Sequence, residues 1–134
     1  MEYQYKDFNR LIQESICTHW DRNALTDYKG STLQYKDVAR KIAKLHILFE
    51  TAGIHPGDKI AVCGRNSSQW AVAFLAILTY RAVAVPILHE FKAEQVHNIV
   101  NHSEARLLFV GDLVYNSLKG DKEEYLAEEM PNLE

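Results

Sequence analysis

The residues that could do chemistry are few, and their spacing completes no familiar catalytic or metal-binding motif. The six glycines stand too far apart to form a phosphate-binding loop of the G-x-G-x-x-G or G-x-x-x-x-G-K-[ST] type. His97 and His102 lie about 140° apart around a helix, so they cannot bind one metal ion from one face. His89-Glu90 begins like the H-E-x-x-H zinc motif, but Ala93 ends the match. We therefore expect no catalytic residue and no metal ligand in this chain.

Two short loops remain as candidates for ligand contact. Each follows a predicted strand, and ligands of open parallel sheets bind beyond the carboxyl ends of the strands. Gly64, Arg65 and Asn66 open a predicted helix, where free amides, the helix dipole and the arginine favour an anion. The alternative for this loop is a plain helix cap with an exposed arginine.

The second loop contains His89, Glu90 and Phe91, an ionisable pair beside an aromatic ring. It is a candidate for contact with a substrate. The alternative is a contact with another domain or with solvent, and the residues alone leave both open.

Periodicity predicts the elements that position these loops. It indicates an N-terminal helix over 7–17, a hairpin of strands 24–28 and 32–35 joined at Lys29-Gly30, and a helix over 36–52. Strands then alternate with helices: strand 59–63, helix 67–80 capped by Asn66, strand 83–85, helix 92–102 and strand 106–110. This order predicts an α/β fold: a partial parallel sheet with flanking helices (β-α-β-α-β), preceded by an N-terminal helix and a β-hairpin.

Composition excludes several other classes. The net charge is −3 and the basic residues are scattered, which is not typical of a nucleic-acid binder. Cys17 and Cys63 form no C-x-x-C pair and are expected to be reduced thiols. No signal peptide is visible, and the longest apolar run, 70–78, is far shorter than the ~20 residues of a membrane span, so we expect the cytoplasm.

The succession of short motifs carries more information than any one of them. The motifs are Ala24-Leu25-Thr26-Asp27-Tyr28, Leu33-Gln34-Tyr35-Lys36-Asp37-Val38, Gly53-Ile54-His55-Pro56-Gly57-Asp58-Lys59-Ile60-Ala61-Val62, Asn66-Ser67-Ser68-Gln69-Trp70, Phe74-Leu75-Ala76-Ile77-Leu78 and Ala82-Val83-Ala84-Val85-Pro86. Their order resembles the N-terminal region of the AMP-forming acyl-CoA synthetases, especially the long-chain fatty acid–CoA ligases of the adenylate-forming superfamily. The resemblance covers residues 8–112.

The resemblance implies a two-step reaction for a longer parent protein. A fatty acid carboxylate attacks ATP to give an acyl-adenylate and pyrophosphate, and the thiol of CoA then displaces AMP, with Mg²⁺ neutralising phosphate charge. The family's Ser/Thr/Gly-rich phosphate loop, its Thr-Glu motif and its catalytic lysine do not occur here. In some relatives the loop that aligns with His89, Glu90 and Phe91 lies near the path of CoA. The chain alone is therefore expected to be inactive and to bind no cofactor.

Three positions depart from the family pattern. Relatives often have Gly where Arg81 stands, Pro where Ser68 stands, and Thr or Ser where Gln34 stands. None of these positions belongs to a chemical motif, so we expect them to affect packing and helix caps only.

The chain is expected to consist of an α/β segment, 1–112, and an acidic tail, 113–134, that is helical or mobile and truncated. The partners expected for the parent are fatty acid, ATP, CoA and the remainder of its own polypeptide. A partial sheet should expose an apolar face, so self-association of the fragment is also expected. An acyl-AMP ligase and an amino-acid-activating domain remain open, as does a stand-alone flavodoxin-like module that binds a small ligand or a protein.

Overall fold

A computed structural model describes residues 7–119 and 129–133 of the chain. The helices of the described residues are α1 (Phe8–Thr18), α2 (Tyr35–Thr51), α3 (Ser68–Thr79), α4 (Ala93–Ser103) and α5 (Asp112–Lys119). The strands are β1 (Asn23–Thr26), β2 (Thr32–Gln34), β3 (Lys59–Cys63), β4 (Val83–Ile87) and β5 (Leu107–Val110).

Strands β3, β4 and β5 form a parallel sheet in the order β4-β3-β5, in which Ile60 pairs with both Ala84 and Leu107. Strands β1 and β2 form a separate antiparallel hairpin. The predicted α/β fold, with its N-terminal helix, hairpin and β-α-β-α-β order, is therefore confirmed.

Two apolar clusters cover the two faces of the parallel sheet. Side chains of β3 alternate between them, because successive residues of a strand point to opposite faces: Ile60 joins the first cluster, and Ala61 and Cys63 join the second. The first lies mainly under α2 and α3 and contains Val38, Ile42, Phe49, Ile54, Val72, Ala76, Ile77 and Ala82. The second lies mainly under α4 and α5 and contains Ile87, Val96, Val100, Ala105, Leu118 and Met130. Burial on both faces explains why β3 is a continuous apolar run.

Helices α2, α3 and α4 end in the same way, with a residue at positive φ just beyond the last turn. These residues are Gly53 (φ 75°), Arg81 (φ 66°) and Glu104 (φ 61°). After α2, the amide of Ile54 donates to the carbonyl of Phe49 at 2.9 Å, and the equivalent bonds after α3 and α4 are 3.1 and 3.2 Å long. This is the Schellman arrangement, which satisfies carbonyls that the helix leaves unpaired.

Several predicted details differ from the structure. The cap of α3 is Ser67 rather than Asn66: the hydroxyl of Ser67 accepts a hydrogen bond from the amide of Trp70 at 3.1 Å, whereas Asn66 lies outside the helix and is exposed. Strand β4 continues through Pro86 to Ile87, beyond the predicted end at Val85. Proline is tolerated there because β4 is an edge strand of the described sheet.

Part of the predicted acidic tail lies within the described residues. Residues 112–119 form α5, and Met130 is buried in the second cluster. The side-chain amide of Asn101 on α4 donates to the carbonyl of Glu129 at 2.6 Å, and His97 Nδ1 lies 3.8 Å from a carboxylate oxygen of Glu129. The rest of the tail, 120–128 and 134, lies outside the described residues.

Candidate functional site

A pocket of about 440 Å³ opens at the carboxyl ends of the parallel strands. Its walls are mostly apolar and come from β3, β5, α3, α4 and α5: Val62, Ala73, Ala93, Phe109, Val110, Val114 and Leu118. Its polar lining residues are Arg65, Ser67, Gln69, His89 and Ser117. An apolar cavity with a few polar groups at the carboxyl edge of a parallel sheet is the usual form of a ligand site in α/β proteins.

Two glycines, Gly64 and Gly111, face each other where the loops that follow β3 and β5 meet at the pocket. A Cβ atom added to Gly64 would lie 3.4 Å from the amide nitrogen of Gly111, which is tighter than most Cβ contacts. That amide donates to the carbonyl of Cys63 at 3.1 Å. A Cβ atom added to Gly111 would lie 3.8 Å from the Cα of Gly64, which is an ordinary van der Waals contact, so the tighter of the two positions is Gly64.

The amino end of α3 is held by a carboxylate from the hairpin. Asp27 accepts a hydrogen bond from the amide of Ser68 at 2.7 Å and another from its hydroxyl at 2.6 Å. These bonds, the one from the hydroxyl first and then the one from the amide, lower the pKa of Asp27 below its ordinary value. The loop with Gly64, Arg65 and Asn66 therefore precedes a helix end at which the carboxylate of Asp27 already accepts hydrogen bonds.

The structure brings together four of the six residues singled out in the sequence. Gly64, Arg65, His89 and Phe91 line the pocket. Asn66 and Glu90 are exposed and do not line it. His89 Nε2 and Glu90 Oε1 lie 3.9 Å apart. Whether these residues contact a substrate, CoA or an anion stays a prediction.

Sequence reasoning missed Cys63 and Trp70 as lining residues of the pocket. Cys63 is the last residue of β3, its thiol donates to the carbonyl of Leu88 at 3.7 Å, and burial raises the pKa of this thiol. Trp70 stacks on Phe74 one turn further along α3, with ring centroids 5.1 Å apart and planes 13° from parallel. The signal in the sequence was their position, since both stand within a few residues of the loop at Gly64.

The opposite end of the sheet carries an ion pair with a structural role. Arg106 Nη1 donates to a carboxylate oxygen of Asp58 at 2.8 Å and to the carbonyl of Gly53 at 3.0 Å. The same carboxylate oxygen accepts the amide of His55 at 2.7 Å. The bond from the His55 amide is the main cause of a lowered pKa of Asp58, with Arg106 contributing as well. These contacts join the turn before β3 to the start of β5, away from the pocket.

Within 7–119 and 129–133, no three His, Cys, Asp or Glu side chains are grouped so that they could hold a metal ion. Over the same residues, no helix is both long enough and apolar enough to cross a bilayer.

The chain is similar in sequence to a known enzyme family. The family model described as AMP-binding enzyme matches residues 12–134, which is most of the chain. The chain belongs to the AMP-binding enzyme family. The resemblance drawn from the sequence is confirmed at this level.

Relatives in this family differ in their named activities. The chain is 30% identical to surfactin synthase subunit 2 of Bacillus subtilis (strain 168) over 118 residues, which cover 87% of the chain and 3% of that protein. It is 30% identical to long chain acyl-CoA synthetase 1 of Arabidopsis thaliana over 78 residues, which cover 58% of the chain and 12% of that protein. The chain thus spans only a small part of the relatives that it matches.

A solved ligase structure shares the fold. The crystal structure of coronafacic acid ligase from Pectobacterium brasiliense superposes with a TM-score of 0.86 over 96% of this chain and 25% of that chain, at 19% identity. An identity this low shows a common fold and carries no information about the substrate.

Proposed function

We propose that this chain is the N-terminal α/β segment of an ATP-dependent ligase that activates a fatty acid and transfers it to CoA. The observation that carries the proposal is the family match over residues 12–134. The fatty acid is proposed because the order of sequence motifs resembles that of the long-chain ligases, and because a long chain acyl-CoA synthetase is among the relatives.

The proposed reaction has two steps. A carboxylate oxygen of the fatty acid attacks the α-phosphorus of ATP, and pyrophosphate leaves. The sulfur of CoA then attacks the acyl carbonyl carbon, and AMP leaves with its phosphate oxygen. ATP, Mg²⁺ and CoA are the cofactors of the whole protein, and we assign no step to a residue of this chain.

The role proposed for this chain is to form one wall of the site. The pocket at the strand ends would lie beside the reactants, with His89 and Phe91 in its lining and Glu90 next to them in the loop. Arg65 is the cation of the lining and would face a phosphate or carboxylate, while Gly64 faces the loop that follows β5. We propose that 1–112 acts as this supporting segment and that 113–134 is an acidic tail that follows it.

The substrate is tested with the full-length protein that carries this chain. Thioester formation from CoA and ATP is measured with palmitate, an aromatic carboxylic acid and an amino acid, each supplied alone. Turnover with palmitate supports the proposal. Turnover only with the aromatic acid or the amino acid would keep the family and overturn the fatty acid.

A second measurement separates a CoA ligase from an acyl-AMP ligase. If palmitate and ATP give pyrophosphate but CoA is not consumed, the first proposed step is correct and the second is wrong. The charge of Arg65 is tested in the same assay with Arg65→Gln. We expect a higher KM for an anionic reactant, because the substitution removes the charge and leaves the apolar lining of the pocket unchanged.

A further inference from the structure

The amino end of α3 forms one wall of the pocket. Ser67, Gln69 and Trp70 belong to the cap and first turn of this helix, and all three line the cavity. The buried residues that anchor α3 in the first apolar cluster begin further along the helix, with Val72 and Ala76. The position of this wall therefore depends on the contacts that the helix end itself makes.

The helix end has two caps with different consequences. The hydroxyl of Ser67 accepts the amide of Trp70 at 3.1 Å, a bond between near neighbours in the sequence. The carboxylate of Asp27 accepts the amide of Ser68 at 2.7 Å and its hydroxyl at 2.6 Å, from 41 residues earlier in the chain. The local bond stabilises the helix wherever the helix lies, whereas the long-range pair fixes where its first turn lies relative to the hairpin.

Asp27 is itself held on a well-bonded turn of the hairpin. Its amide donates to the carbonyl of Ser31 at 3.1 Å, and its carbonyl accepts the amide of Gly30 at 2.9 Å. The hydroxyls of Thr26 and Thr32, on either side of the turn, share a hydrogen bond of 3.0 Å. The carboxylate therefore has a fixed origin, and its bonds to Ser68 are of the charge-assisted kind, which are the stronger hydrogen bonds in proteins.

We propose that Asp27 is a positioning residue for the ligase reaction: acting through Ser68, it holds the pocket wall formed by the first turn of α3 where the reactants need it. Asp27 is not among the residues that line the pocket, so it touches no reactant itself. The inference rests on the proposed function, since this wall matters to the reaction only if the reactants lie beside it. Small displacements of the groups that contact a substrate are costly, even when the substitution that causes them is remote.

The test uses the full-length protein that carries this chain. Asp27→Asn keeps the size of the side chain but replaces one oxygen by a donor, so only one of the two bonds from Ser68 can form. We expect the KM for at least one of palmitate, ATP and CoA to rise by about fivefold or more, with kcat within about twofold, because a displaced wall weakens binding and carries no chemical step. Ser68→Ala keeps the amide bond and should raise the same KM by a smaller factor.

A double variant shows whether Asp27 acts through Ser68. Asp27→Asn combined with Ser68→Ala should raise that KM by less than the product of the two single effects, because both substitutions weaken one contact. Single effects that multiplied in full would mean that Asp27 acts by another route, and would overturn the proposal.

Asp58→Asn is the matched control. Asp58 is also a hydrogen-bonded carboxylate, which accepts the amide of His55 at 2.7 Å and the guanidinium of Arg106 at 2.8 Å, away from the pocket. Its substitution should weaken the fold but leave every KM within about twofold. All variants are assayed at a temperature at which thermal unfolding shows them to be folded. An equal rise of KM in Asp58→Asn and Asp27→Asn would show that general loss of stability is the cause, and would overturn the proposal.

Backbone hydrogen exchange separates a failure of this proposal from a failure of the proposed function. In Asp27→Asn the amides of 64–70 should exchange about tenfold faster or more, because the helix end opens more often, and in Asp58→Asn they should be unchanged. This measurement needs no turnover, so it holds even if the full-length protein activates no carboxylic acid. Unchanged exchange in Asp27→Asn would overturn the proposal, and so would faster exchange with every KM unchanged, which would leave Asp27 a purely structural role.

Discussion

The carboxylate of Asp27 accepts both hydrogen bonds that Ser68 donates, from its hydroxyl at 2.6 Å and from its amide at 2.7 Å. Ser68 is the first residue of α3 and is buried, while Asp27 follows β1 in the hairpin, 41 residues earlier. A proline at the position of Ser68 would have no amide hydrogen to donate to Asp27. Here the serine lets the hairpin fix the helix end that leads into the candidate site.

The first prediction concerns the stability of the fold in acid. The folded-state pKa of Asp27 is lowered, so its contribution is complete above the unfolded value, about 3.9, and is lost as the pH falls through the folded pKa. Asp27→Asn should therefore be less stable than the unmodified chain at pH 7, and the difference should shrink below pH 4. Urea unfolding at several pH values measures this.

Asp58 also has a lowered pKa and loses its contribution over the same acid range. Subtracting the curve of Asp27→Asn from that of the unmodified chain isolates Asp27, because Asp58 is present in both. A difference that stayed constant between pH 7 and pH 2 would show that the charge of Asp27 does not matter.

The second prediction concerns the ends of α2 and α3. Arg81 holds φ at 66°, which side chains with a Cβ adopt at a cost, so Arg81→Gly should raise the free energy of unfolding by about 0.5–1 kcal/mol. Gly53→Ala is the converse change and should lower it by about 1 kcal/mol, because its φ is 75°.

The loss of stability expected for Gly53→Ala does not come from a steric clash, since no heavy atom lies within 4 Å of a Cβ built on Gly53. Both variants are compared by urea unfolding at neutral pH. A loss of stability in Arg81→Gly would mean that the arginine side chain contributes more than the backbone strain costs.

The third prediction concerns the two thiols. Cys17 is exposed, whereas Cys63 is buried in the pocket wall and its pKa is raised, so less of it is thiolate. With a thiol-reactive dye at pH 8, Cys63 in Cys17→Ser should react at least about tenfold more slowly than Cys17 in Cys63→Ser.

The matched single-cysteine variants give one rate each, and addition of urea should make the two rates equal. Equal rates without urea would show that Cys63 is open to solvent, contrary to the packing of the second apolar cluster.

The order of the elements could be predicted from the sequence because the apolar residues keep the period of a helix or a strand. The ends of the elements were off by one or two residues, and the cap of α3 was placed on Asn66 because both Asn66 and Ser67 are good caps. Local sequence could not decide between them, because the helix end is also bound by Asp27, which contacts Ser68 from 41 residues earlier in the chain.

The candidate site could be predicted in part. The rule that ligands bind at carboxyl ends of strands pointed to Arg65 and His89, and both line the pocket there, while their contact with a ligand stays a prediction. Local sequence could not show that Glu90 and Asn66 do not line it, or that α5 contributes Val114 and Leu118 to its wall. These facts depend on how distant elements pack, and no spacing rule contains that information.

The measurement that tests the central claim most directly is pyrophosphate release from ATP with and without palmitate. It compares the full-length protein that carries this chain with the 134-residue chain alone. We predict palmitate-dependent release by the full-length protein and none by the chain. Release by the chain alone would contradict the account, because it would place the catalytic residues where we find none. Absence of release by the full-length protein with any carboxylic acid would contradict the proposed ligase activity.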